Sequence, residues 1–215
     1  MFFKKKPNHS TLICLTDHHL SKQTLSLIDL ENYSLGSSYS HILNQGGSVC
    51  IYIRTDTEYS IFDVSQNCIE KYLELCVAQI NSKYCHIVTI CIYRSPTRKC
   101  SPFLNLLDAT LKHLHIPNTK FLICGDININ YLLDSHRKTQ LTALLHTYNL
   151  SHTTSLLTRI FNCRVSYIDN IFIDIIDIYK ALCLRATQWH RTTIFKLCSG
   201  EILWVTFRGA KYVAK

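Results

Sequence analysis

Apolar and polar positions alternate in short runs through the first half of the chain, the period expected of strands with a buried face. "TLICLT" (11–16) is the first run and ends at Asp17. After the turn "NQGG", "SVCIYIR" (48–54) sets Val49, Ile51 and Ile53 between Cys50, Tyr52 and Arg54. "YSIFDV" (59–64), "LELCVAQI" (73–80) and "HIVTICIY" (86–93) follow, and "YSLGSSYS" (33–40) is a weaker candidate. "RSPTRKCSP" (94–102), with two prolines, reads as a loop. The period then changes. Ser101 is placed to cap a helix with Pro102 at its first position, and Leu104, Leu107, Leu111 and Leu114 recur at helical spacing. "KFLIC" returns to a strand, and "RKTQLTALLHTYNL" (137–150) puts Leu141, Leu144, Leu145 and Tyr148 on one helical face. "SYIDNIFI" (166–173) is the last strand candidate. Beyond Asp177 no period holds, and the segment reads either as a helix and a hairpin or as foreign to the domain. The pattern predicts one α+β domain over 11–177, between a basic leader (1–10) and a basic tail of open structure (178–215).

Composition changes that picture little. The 215 residues are 47% hydrophobic and 18% charged, an ordinary globular balance with room for one core. The net charge of +8 is uneven: residues 180–215 hold seven basic side chains and one acid, so +6 lies in the last 36 residues. That tail is a weak argument for a nucleic-acid partner. Eleven cysteines, an odd number with no C-x-x-C spacing, exclude an obvious zinc knuckle. Several fall inside apolar runs, where they read as small buried hydrophobes in a reducing compartment, with no disulfide-linked partner. The expectation is an intracellular chain, nuclear or cytoplasmic, without a signal peptide or a membrane span.

Candidate chemistry centres on "FLICGDININYLL" (121–133). An apolar strand runs through Gly125 into Asp126, with Asn128 two positions on. Side chains two apart at a strand exit point the same way, so Asp126 and Asn128 are expected to share a cleft, and Gly125 to permit the backbone's departure. A carboxylate there holds a divalent cation or takes a proton from water, and the amide orients that water or a phosphate. Asp17 and Asp169 stand at or near other strand ends. Such oxygen donors suit magnesium.

Read in order, "ICLTDHHL", "GGSVCIYIR", "ICIYRSPT", "FLICGDININYLL", "LLHTYNL", "LTRI" and "SYIDNIF" resemble the endonuclease/exonuclease/phosphatase superfamily, and within it the endonuclease domain of non-LTR retrotransposons. The likeness spans about residues 11–175. It implies a deoxyribonuclease I-like fold, two β-sheets face to face with flanking helices in α/β/β/α layers, incomplete at both ends. It implies magnesium-dependent hydrolysis of DNA phosphodiesters, manganese being a possible substitute, with a target-site nick that primes a reverse transcriptase of the parent element. In this resemblance Asp126 is the base, Asn128 orients water or phosphate, Tyr93 holds the phosphate and Asp169 steadies a catalytic histidine. Asp17 is the metal ligand, and Thr158 and Arg159 border the substrate.

The sequence departs from that pattern in three places. Asp17 stands where the family has glutamate, so its carboxylate is one C–C bond, about 1.5 Å, shorter in reach. The family's first strand, with its asparagine, has no counterpart in "MFFKKKPNHS", which leaves a sheet edge to be covered; Asn8 does not fit that place. The closing Ser-Asp-His is absent. His190 falls at a comparable distance after Asp169, but Trp189 stands in place of the acid. These departures imply reduced activity and a rearranged tail. Two alternatives stay open: a non-catalytic remnant with nonspecific nucleic-acid binding, and a small-molecule phosphatase of the same superfamily.

Overall fold

The computed structural model describes residues 11–41, 47–81, 86–153, 159–161, 164–174, 181–184, 192–197 and 202–207. The front half supplies β1 (Leu12–Thr16), the short helix α1 (Lys22–Ser26), β2 (Tyr33–Tyr39), β3 (Val49–Arg54), β4 (Tyr59–Phe62), β5 (Glu74–Asn81) and β6 (His86–Tyr93). Then come α2 (Cys100–Leu114), β7 (Thr119–Asp126), α3 (His136–His146), β8 (Ser151–His152), β9 (Arg159–Phe161), β10 (Arg164–Ser166) and β11 (Asp169–Ile173). Three more strands close the chain: β12 (Ala181–Leu184), β13 (Thr192–Leu197) and β14 (Ile202–Phe207).

Two six-stranded sheets result, one ordered β12-β13-β14-β1-β3-β2 and the other β4-β5-β6-β7-β11-β8. Alternation along β1, β3, β5, β6, β7 and β11 divides their apolar side chains between two burials. Leu12, Cys14, Val49, Ile51, Cys91, Leu122, Cys124 and Ile171 meet between the sheets. Val77, Ile90 and Ile123 face the other way, onto Phe103, Leu107 and Leu111 of α2 and Leu141 and Leu145 of α3. On the outer face of the first sheet, Ile13, Leu15 and Tyr52 pack on Leu25 of α1. The layers are therefore helix, sheet, sheet, helices, the expected α/β/β/α order.

Three expectations change. The helix α2 begins at Cys100 with Lys99 as its cap, so Ser101 does not cap it and Pro102 sits in the third helical position. A proline is tolerated there because the first-turn N–H groups have no intrahelical acceptor anyway. The basic tail supplies backbone strands: β14 runs parallel to β1, Leu12 opposite Ile202, and covers the sheet edge that the shortened N-terminus was expected to leave open. The helix α1, only five residues long and capped by the Ser21 hydroxyl on the Thr24 N–H, was too short for its periodicity to register. No helix among the described residues is long and apolar enough to cross a membrane.

Candidate active site

Register assembles the site. In the antiparallel pairing of β7 with β11, Asp126 stands directly opposite Asp169. In the parallel pairing of β6 with β7, Tyr93 is the partner of Asp126, and across β5 and β6 Glu74 is the partner of Tyr93. Direct partners point to one face. Glu74, Tyr93, Asp126 and Asp169 thus form a single row across four strands. The row faces the other sheet, since Cys76, Cys91 and Cys124, two residues away on the same strands, lie in the inter-sheet core. Asp126 and Asp169 are each 1% exposed.

Asp17 enters from the first sheet. It follows β1 with φ of 54°, and its Oδ1 accepts the Gly47 N–H at 2.8 Å. The next residue, Ser48, donates its N–H to Glu74 Oε2 at 2.7 Å. One dipeptide therefore joins Asp17 to the row, and both sheets contribute carboxylates to the same end of the sandwich. The same Asp17 oxygen lies 3.2 Å from His19 Nε2.

Asn128 reaches the site by a different route from the one expected. The strand β7 ends at Asp126, and Asn128 is in the left-handed region (φ 52°), which asparagine tolerates better than most residues. Strand alternation no longer governs its side chain. Its N–H donates to Asp126 Oδ1 at 3.2 Å, and its amide donates to the Arg94 carbonyl at 2.7 Å, which fixes the amide's orientation. Arg94 is fully buried and donates to the carbonyls of Ile127 and Arg98, clamping the loops that follow β6 and β7. Burial holds its guanidinium below the ordinary arginine value. The loop after Asp126 is also tied to the approach to Asp169. Ile127 N–H donates to Ile168 O, Tyr131 N–H to Tyr167 O, and Tyr167 N–H to Asn130 Oδ1.

Gly125 has a stricter role than loosening a turn. It pairs within β7 at φ 156°, and a Cβ there would sit 1.8 Å from the Ile92 carbonyl oxygen. Close approach of two backbones demands glycine here.

Glu74 was missed in the sequence because "LELCVAQI" scans as an apolar strand. An acid within a run buried on both faces was the available signal. It is fully buried and accepts the N–H groups of Ser48 and Lys71, with His41 Nε2 2.8 Å from Oε2. Nearby, burial lowers the pKa of His18 to about 4. Of the remaining expected site residues, Arg159 opens β9, which pairs with β10 outside both large sheets, and its side chain lies outside the described residues. Thr158 and His190 also lie outside them.

No family model matches the sequence, and no curated protein matches it. Solved structures do. The endonuclease domain of TRAS1, a telomere-specific non-LTR retrotransposon, superposes with a TM-score of 0.65 at 14% identity, over 87% of this chain and 86% of that one. TDP2 of D. rerio, complexed with a single-strand DNA product, gives 0.57 at 12% identity, over 89% and 80%. An endonuclease/exonuclease/phosphatase family protein from Leptotrichia buccalis gives 0.52 at 13%, over 83% and 81%. The chain has the endonuclease/exonuclease/phosphatase fold, and it is structurally similar to a retrotransposon endonuclease domain.

Proposed function

We propose that this chain is a magnesium-dependent endonuclease of the retrotransposon type, hydrolysing DNA phosphodiesters at reduced rate. The observation that carries the reading is the face-to-face pair Asp126 and Asp169, buried at the same end as Asp17. Carboxylates that face one another across paired strands, with a third entering from the other sheet, are an oxygen-donor set that suits a cation. The donors are all oxygen, which suits magnesium. Among the described residues, however, these carboxylates do not form a set of three with all ligand atoms within 4.8 Å. Magnesium accepts one or two carboxylates and completes its shell with water and phosphate, so the residues fit it in that mode. Asp17 and a carboxylate of the row would hold it, and it would supply charge neutralisation at the phosphate.

Asp126 then takes a proton from the attacking water, and Asn128, braced on the Arg94 carbonyl, orients that water or the scissile phosphate. Tyr93 donates to a phosphate oxygen. Water forms the new bond to phosphorus as the bond to the 3′ oxygen breaks, and that oxygen leaves with a solvent proton as the 3′-hydroxyl. Reduced rate follows from Asp17, whose Oδ1 is engaged by Gly47 and lies beside His19. DNA is the proposed partner, in the nucleus or cytoplasm. The free cysteines of the described residues support that setting. The test is nicking of supercoiled plasmid with magnesium, beside EDTA and Asp126→Ala. Metal-dependent nicking lost in the variant supports the reading. Folded protein that leaves the plasmid intact with magnesium and with manganese overturns it in favour of a non-catalytic remnant.

A further inference from the structure

Directly beneath the row of acids lies a row of thiols. Cys76 pairs with Cys91 across β5 and β6, and Cys91 with Cys124 across β6 and β7. Each stands two residues from Glu74, Tyr93 or Asp126, one strand repeat deeper, about 7 Å along the sheet. From the opposite sheet, Cys14 of β1 completes the group. The sulfurs of Cys14, Cys91 and Cys124 all lie within 4.8 Å of one another, and all three residues are fully or almost fully buried. Their surroundings are apolar, and the polar neighbour is the Leu15 carbonyl, 3.5 Å from Cys91 Sγ.

Three cysteines in a core are commonly small hydrophobes, but here they come from both sheets and converge on one point. Metal–sulfur bonds of about 2.3 Å place three thiolates about 4 Å apart in a trigonal arrangement. The observed spacing closes to that with sub-ångström shifts. We propose that Cys14, Cys91 and Cys124 form a buried three-sulfur site for a single thiophilic cation, copper(I). The donor set selects it. Oxygen-seeking magnesium and calcium find no carboxylate in this group of described residues, and zinc wants four donors. Cys76 borders Cys91 but falls outside the set that converges. Soft thiolates in a low-coordination site favour copper(I). On binding, S–H bonds give way to S–Cu bonds, the protons pass to the buffer and the copper keeps its oxidation state. Since all three cysteines are buried, the ion enters as the sheets close in folding. It ties β1, which leads to Asp17, to β6 and β7, which end at Tyr93 and Asp126.

The experiment refolds the full chain anaerobically, under reduction, against copper(I) buffered by a chromophoric chelator and, separately, against zinc(II). One tight equivalent of copper(I), three sulfurs around copper by X-ray absorption, and a raised melting temperature are expected. Cys14→Ser and Cys124→Ser lose that equivalent, and Cys50→Ser, on the outer face of the first sheet, retains it. Uptake unchanged in a folded Cys14→Ser, zinc bound by four sulfurs in preference to copper, or no uptake by the wild type overturns the proposal. Should Cys14→Ser not fold, the sulfur count in the wild type decides: three sulfurs support the site, and two or four sulfurs overturn it.

Discussion

Asp126 and Asp169 are direct partners across two antiparallel strands, both buried at the end of the sandwich. Like charges so placed cost up to about 1 kcal/mol, or about 2–4 °C of melting temperature in a chain of this size. In EDTA, Asp169→Asn is expected to melt higher than the wild type by that amount. Magnesium raises the melting temperature of the wild type by more than that of the variant, which has lost one of the facing carboxylates. Differential scanning calorimetry with and without the ion reads both effects.

Gly125→Ala brings a methyl carbon into the Ile92 carbonyl. Two paired strands must part to admit it. We expect a loss of about 2–4 kcal/mol in urea unfolding, without any change in the charge of the site.

Glu74→Ala leaves the Ser48 and Lys71 N–H groups without their carboxylate and removes the nearer of the two carboxylates beside His41. A buried charge network cut this way loses about 3 kcal/mol. Glu74→Gln, which keeps the shape, loses less. Because Ser48 follows the residue that braces Asp17, plasmid nicking falls in both variants.

Removing residues 178–215 tests the tail. If those residues were merely a charged appendage, the shortened chain would stay soluble. With β14 gone, β1 is left with an open parallel edge, and we expect the shortened chain to aggregate in sedimentation or light scattering.

His152 gives the pH dependence its sign. Burial lowers its pKa below the ordinary histidine value, while the hydrogen bond with Asn170 opposes that. The unfolded chain therefore binds the proton first as pH falls through about 6.5, and stability drops from there downward. His18, held at about 4, adds to the same slope. His152→Asn flattens part of the slope between pH 6.5 and the acid limit, as measured by urea midpoints.

The layers of the fold were legible because β1, β3 and the strands β4 to β7 carry apolar runs or alternation, and both long helices an apolar stripe. The weak strand 33–40 is real but irregular, its register shifting between Leu35 and Ser37, which is why its pattern is poor. Asp126, Tyr93 and Asp169 were legible as strand-end groups, yet nothing in their spacing announces that they share a row. Pairing register, a long-range property, does that. Asn128 lies beside Asp126 as expected, but not through strand alternation, which its left-handed backbone ends. Glu74 hid inside an apolar run. The tail strands carried no period, and their place beside β1 is again a matter of long-range register.

The partnership of β1 with β14 also sets a timetable. The second sheet is drawn wholly from residues 59–173, so its strands can associate while the chain is still being made. Leu12, by contrast, waits for Ile202, almost the entire chain later. A closure that distant makes folding slow and leaves the first sheet half-built during synthesis. The sheet whose strand β1 leads to Asp17 is thus the last part of the fold to be completed.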